Sequence, residues 1–131
     1  MKTTSTLRSP LKRARGLGSA KTGTGHFIVQ RVTAIALIPL ALYVAWLVVS
    51  LASADYAQVR ATVADPLHAT LLVAFLVNSF WHAQLGMQVI IEDYVHSPGA
   101  AMTLQLVNIF ACALAGIASV IAVLRITFAG A

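Results

Sequence analysis

Three long stretches without a charged residue constrain this chain more than any other feature. They are residues 32–51, residues 66–91, which open with a proline, and residues 100–124. Twenty helical residues are about 30 Å long, which matches the hydrocarbon core of a bilayer. Only 10% of the residues are charged, against about 25% in soluble domains. The sequence therefore predicts an all-α integral membrane protein with three transmembrane helices, up-down-up, joined by short connections that contain turn residues.

Positive charge is concentrated before the first stretch. Seven of the nine Lys and Arg residues lie in residues 1–31, and the first acidic residue is Asp55. We expect residues 1–31 to form a basic, flexible arm, either disordered or lying on anionic lipid headgroups. A nucleic-acid partner is not expected, because aromatic residues are not interleaved with these clustered charges.

The same asymmetry predicts the orientation of the helices. An excess of Lys and Arg marks the cytoplasmic side of a membrane, so the amino terminus is predicted to be cytoplasmic, in the inner membrane of a bacterium. The arm is also similar in composition to a mitochondrial import sequence, because it contains Ser and Thr and lacks acidic residues. The mitochondrial inner membrane is therefore the alternative location.

The second stretch contains the one histidine that is predicted to lie deep in the membrane. His82 precedes Ile91 by nine residues, about 13 Å along a helix. Placing an ionisable residue inside the membrane costs free energy, so such a residue is a candidate functional residue. A neutral imidazole can ligate a metal, relay a proton or hydrogen-bond to a neighbouring helix. Asn78, Gly86 and Asp93 share its helix face. Gly86 leaves room for a flat macrocycle, so a b-type haem fits this face.

A haem with two axial histidines would require another subunit. His68 and His96 each lie fourteen residues from His82, which is about 21 Å along the helix. His26 precedes the first stretch, and the first and third stretches contain no histidine. The sequence therefore predicts a helix bundle shared with a second membrane subunit, if a haem is bound.

Three polar residues are predicted at the cytoplasmic edge. Tyr94 is either part of an aromatic belt or a hydrogen-bond donor to a quinone carbonyl. Asp93 is either an ordinary helix-end acid or a group that orients a basic partner or passes protons. Arg31 could snorkel to the headgroups, pair with Asp93 or bind a haem propionate. In the third stretch, the four-residue spacing of Ala111, Ala115 and Ser119 predicts close helix packing.

The segment from His82 to Val95 resembles the H-x-x-x-G-x-x-x-(V/I)-(I/L)-x-D-Y-V signature of the smaller, D-type hydrophobic anchor subunit of succinate dehydrogenase, respiratory complex II. Gly25-His26-Phe27, followed by Arg31-Val32-Thr33-Ala34-Ile35, is similar to the start of the first membrane span in that family. The resemblance covers about residues 25–125.

This resemblance implies roles for the singled-out residues. It implies that His82 is an axial ligand of a haem b shared with a larger cytochrome b anchor subunit, which would supply the other histidine. It implies that Tyr94 hydrogen-bonds to a ubiquinone carbonyl, that Asp93 is the neighbouring acid of that site, and that Arg31 lies near the haem propionates.

The resemblance also implies a function. With the larger anchor, the chain would attach a flavoprotein subunit and an iron–sulfur subunit to the membrane and help electrons pass from succinate to ubiquinone, in the respiratory chain and the tricarboxylic acid cycle. It would be a subunit of the enzyme that does not bind succinate and is not catalytic alone, since it has neither a nucleotide fingerprint nor a cysteine cluster. The alternatives are a haem-free structural anchor, and an anchor of a fumarate reductase or another cytochrome b.

Overall fold

The computed structural model describes residues 23–129, and this part of the chain contains four helices and no strand. They are α1 (Gly23–Ser50), α2 (Tyr56–Ala64), α3 (Pro66–Tyr94) and α4 (Pro98–Phe128). Three of them, α1, α3 and α4, are long and apolar enough to cross a membrane. The predicted all-α fold class with three membrane helices is therefore confirmed.

The long helices extend beyond the predicted stretches. Helix α1 begins at Gly23 instead of Val32, so residues 23–31, which were predicted to belong to a flexible arm, are helical; the rest of that arm lies outside the described residues. Helix α3 continues to Tyr94, and α4 covers Pro98–Phe128. Adding a residue to a formed helix costs much less than starting one, so helices continue past the hydrocarbon edge.

Helix α2 lies in the connection between the first two predicted stretches, for which the sequence indicated turn residues and no helix was predicted. Asp55 caps its amino end, because the Asp55 carboxylate accepts a hydrogen bond from the backbone N–H of Gln58 at 2.8 Å. Asp65 ends α2 and caps α3, accepting from the backbone N–H groups of Leu67 and His68 at 3.0 and 3.2 Å. Short polar side chains at these positions satisfy the free N–H groups of a first helical turn. Two aspartate caps thus define the connection between α1 and α3.

The three long helices form a row with α3 in the middle. Helix α3 packs against α1 and against α4, whereas α1 and α4 do not contact each other within residues 23–129. Large apolar side chains therefore stay exposed on the outer helices; Leu42 is 69% and Val49 75% exposed. An apolar surface of this extent faces lipid or a protein partner.

Helix α4 packs against α3 through a buried amide and a glycine. Asn108 is only 8% exposed, and its Nδ2 donates a hydrogen bond to the backbone carbonyl of Gln84 at 2.9 Å. Two turns further along α4, a Cβ atom on Gly116 would lie 3.4 Å from the Phe80 ring. The two helices therefore approach closely at Gly116, where a larger side chain would press on the ring.

The line of small residues that was predicted to pack closely does not meet α3. Ala111 and Ala115 are exposed, whereas Asn108, Cys112 and Gly116 lie on the side of α4 that meets α3. One residue corresponds to a rotation of about 100° around a helix. Four-residue spacing identifies a face of the helix but does not determine which face meets α3.

The Asn108 hydrogen bond generates a stability prediction. We expect Asn108→Ala to lower the free energy of unfolding in detergent micelles by about 1 kcal/mol, the usual size of an interhelical side-chain hydrogen bond in membrane proteins. Titration with a denaturing detergent, followed by tryptophan fluorescence, measures it. Asn78→Ala is the matched control, since within residues 23–129 the Asn78 amide bonds only to Ala74 O of its own helix, at 3.0 Å. Equal losses in both variants would contradict the prediction.

Candidate functional site

His82 lies within α3 and faces α1. Its ring is partly buried, and Nδ1 is 2.9 Å from Oγ1 of Thr33 in α1. Thr33 is one of the most buried of the described residues, with 4% of its surface exposed. Thr33 could not be recognised as a partner of His82 from spacing, because a contact between residues 49 positions apart leaves no periodic pattern. Its polarity inside an apolar stretch was the available signal.

The face of α3 that carries His82 and Gly86 packs against α1. A Cβ atom on Gly86 would lie 3.7 Å from the side-chain nitrogen of Gln30, an ordinary packing distance. The space beside Gly86, interpreted from the sequence as room for a macrocycle, is therefore occupied by a side chain of the same protein. Sequence spacing correctly places both residues on one face, but the backbone of α1 determines what this face meets.

Three polar side chains lie along one face of α1. His26, Gln30 and Thr33 follow each other at intervals of four and three residues, which places them on one helical face. Within the described residues, Nε2 of His26 and Oε1 of Gln30 are buried without a hydrogen-bond partner. Such groups are rare and point to a bound water, ion or ligand. His26, predicted to precede the first membrane stretch, is thus part of α1.

Arg31 begins the apolar part of α1 and is exposed. Its guanidinium carbon lies 5.1 Å from the centre of the Phe27 ring, a cation–π arrangement one helical turn apart. The arginine therefore lies along the surface of its own helix.

Asp93 and Tyr94 form the end of α3 and are both exposed, Tyr94 by 77%. Asp93 lies eleven residues after His82, which is about 17 Å along the helix and within about 20° of the same face. Tyr94 is turned by a further 100° or so. The structure therefore does not bring these residues together with His82; the predicted residues occupy two levels of one helix.

A pair of titratable side chains, Tyr43 and His68, lies toward the amino-terminal end of α3. The phenolic oxygen of Tyr43 in α1 hydrogen-bonds to Nδ1 of His68 in α3, and the two rings are stacked with centroids 6.0 Å apart.

Within residues 23–129, no group of three or more His, Cys, Asp or Glu side chains could hold a metal ion. A metal ion bound by these residues would therefore need further ligands from outside residues 23–129.

Comparisons with known proteins agree on one family. The sequence model of the succinate dehydrogenase/fumarate reductase transmembrane subunit family matches residues 5–124. A succinate dehydrogenase hydrophobic membrane anchor subunit of Rickettsia bellii is 34% identical over 88 residues, which are 67% of this chain and 70% of that protein. A protein of the same description from Rickettsia conorii is 29% identical over 116 residues, 88% of this chain and 92% of the relative.

No solved structure matches the chain significantly, so the family assignment depends on sequence. The family model covers nearly the whole chain, including the three long apolar helices and the segment with His82, Asp93 and Tyr94. The fold agrees with it, since each long helix can cross a membrane. This chain belongs to the succinate dehydrogenase/fumarate reductase transmembrane subunit family, as a hydrophobic membrane anchor subunit of succinate dehydrogenase.

Proposed function

We propose that this chain anchors a succinate:quinone oxidoreductase in the bacterial inner membrane, with its amino terminus in the cytoplasm. A larger cytochrome b subunit would pack beside it, and both would hold the flavoprotein and iron–sulfur subunits at the membrane surface. The exposed apolar sides of the helix row support a partner of this kind, because a row of three helices leaves each outer helix covered on one side only. The names of its relatives support the anchoring role.

His82 carries the proposal that the anchor binds haem b. Imidazole is a standard ligand of haem iron, and the porphyrin would itself supply most of the other ligands. One histidine from this chain is therefore sufficient, and a cluster of protein ligands is not needed. The buried, unpartnered atoms of His26 and Gln30 fit a polar group or water beside this face of α1. When bound, haem b would supply a one-electron redox centre inside the membrane.

Asp93 and Tyr94 carry the proposal of a ubiquinone site at the cytoplasmic edge. The Tyr94 phenol can donate a hydrogen bond to a quinone carbonyl, and the Asp93 carboxylate can accept a proton or hold a basic partner. Reduction of a quinone to a quinol takes up two electrons and two protons, so a site near water favours proton supply. Both side chains are exposed in the isolated chain, which makes them accessible to a quinone and to the partner subunits.

The first test addresses the haem ligand. We expect His82→Ala to lose bound haem b from the purified complex, or to perturb it strongly, because the proposed iron ligand from this chain is removed. A reduced-minus-oxidised absorption spectrum, normalised to protein, measures the haem. His68→Ala is the matched control in the same helix and should retain haem, since His68 bonds to Tyr43 toward the other end of α3. A spectrum of His82→Ala with unchanged amplitude and position would refute the assignment.

The second test uses the isolated chain. We expect the purified, monomeric chain in detergent to be unable to form a stable bis-histidine haem complex, because none of its other histidines lies at the depth of His82. His26 is seven residues from Thr33, about 10 Å along α1, and His68 lies about 21 Å from His82. Electron paramagnetic resonance of added ferric haem distinguishes the coordination states. A low-spin bis-histidine signal from a demonstrated monomer would contradict this prediction.

The third test addresses the quinone site. Tyr94→Phe removes one hydrogen-bond donor and preserves the ring, which should lower quinone-dependent turnover by roughly five- to a hundredfold, the equivalent of about 1–3 kcal/mol. Succinate oxidation with a soluble electron acceptor should remain near the wild-type rate, as should haem content. Tyr56→Phe, at a tyrosine that is 81% exposed in α2, is the matched control and should leave both activities unchanged.

If the carboxylate serves the quinone site, Asp93→Asn should also lower quinone-dependent turnover. Succinate oxidation with a soluble electron acceptor and haem content should again remain near the wild-type values. A parallel fall of both activities in Tyr94→Phe would indicate faulty assembly. Normal quinone turnover in Tyr94→Phe would assign this residue to the aromatic belt at the membrane surface and would remove it from the quinone site.

A further inference from the structure

The hydroxyl group of Thr33 contacts two backbone carbonyls and one imidazole nitrogen. Its Oγ1 lies 2.9 Å from Val29 O, 3.1 Å from Gln30 O and 2.9 Å from Nδ1 of His82. The carbonyls belong to the preceding turn of α1, and the imidazole belongs to α3. Thr33 is 4% exposed, so bulk water does not compete for these contacts. This one hydroxyl therefore links the backbone of α1 to the candidate haem ligand.

The direction of each hydrogen bond follows from the number of protons. A threonine hydroxyl has one proton to donate, and a backbone carbonyl can only accept. An oxygen–oxygen distance of 2.9 Å, as between Thr33 and Val29, is favourable only when a proton lies between the two atoms. The Thr33 proton is consequently used toward α1. The proton in the contact with His82 must then come from Nδ1, which leaves the lone pair of the imidazole on Nε2.

We propose that Thr33 is the positioning residue of the haem ligand: it accepts a hydrogen bond from Nδ1–H of His82 and thereby holds Nε2 as the nitrogen that binds iron. This inference rests on the proposed haem-binding function. Histidine ligands of metals usually donate their second N–H to an acceptor that sets the tautomer, the ring orientation and the basicity of the ligand. Here the acceptor is a hydroxyl that is itself polarised by a backbone carbonyl.

The test compares three variants in the assembled, purified complex. Thr33→Val keeps the shape of the side chain and removes the hydroxyl, whereas Thr33→Ser keeps the hydroxyl. Thr70→Val is the matched control, because Oγ1 of Thr70 bonds to Pro66 O at 2.7 Å, in the same way within its own helix, and Thr70 is exposed. Haem affinity is measured by the transfer of haem to apomyoglobin. The environment of the bound haem is measured by its midpoint potential and by the electron paramagnetic resonance signal of its low-spin ferric iron.

We expect Thr33→Val to lower haem affinity about 10- to 100-fold, as is usual when an outer partner of a metal ligand is removed. The low-spin signal should shift and the midpoint potential should rise, because a less basic imidazole stabilises ferric iron less well. Thr33→Ser should restore all three properties, and Thr70→Val should not change them. A role in helix packing alone would not move the potential or the resonance signal.

The outcomes separate this inference from the haem proposal itself. If the wild-type complex contains no haem, or if His82→Ala retains it, the haem proposal is wrong and the role of Thr33 falls with it. If His82→Ala loses haem while Thr33→Val keeps the wild-type affinity, potential and signal, the positioning role is refuted. Equal changes in Thr33→Val and Thr33→Ser also refute it. Should Thr33→Val not assemble, Thr33→Ala is judged by the same measurements.

Discussion

Interhelical hydrogen bonds on two sides of α3 connect it to the other two long helices. His82 bonds to Thr33 of α1, and the carbonyl of Gln84 accepts from Asn108 of α4. Residues two positions apart on a helix point in directions about 200° apart, so these bonds leave α3 on nearly opposite sides. Helices α1 and α4 are consequently kept apart, and α3 becomes the central element. The positions of the remaining polar residues depend on this arrangement.

Local features of the fold could be predicted from the sequence because they depend on residues close together in the chain. Three apolar stretches predict three membrane helices, since a bilayer core requires about 20 residues per crossing. Their ends were predicted less well, because a helix continues beyond the hydrocarbon region where hydropathy no longer marks it; residues 23–31 are the example. Helix α2 was missed although Asp55 followed by Gln58 three positions later is typical of a helix start.

The site was predictable to the extent that it lies on one helix. Four-residue spacing placed His82 and Gly86 on a common face of α3, and the structure places this face against α1. Thr33 and Gln30, which meet these two residues, could not be inferred, since spacing along α3 contains no information about the register of α1. For the same reason, spacing along α4 could not show that Gly116, one position after Ala115, is the small residue that meets Phe80 of α3.

The central position of α3 explains why this helix can carry the polar residues. It is the least apolar of the three long helices and contains His68 near its start, His82 in its middle and Asp93 at its end. Polar side chains are expensive in contact with lipid and are tolerated where another helix provides a partner. Helices α1 and α4 cover two sides of α3, and the ring of His82 remains only partly buried. The proposed haem, shared with a second anchor subunit, would require this incomplete enclosure, because the imidazole would be held from one side by its own chain and stay accessible from the other. In this proposal the Thr33 hydroxyl would hold the imidazole, and the open side of the helix row would give the second subunit access to it.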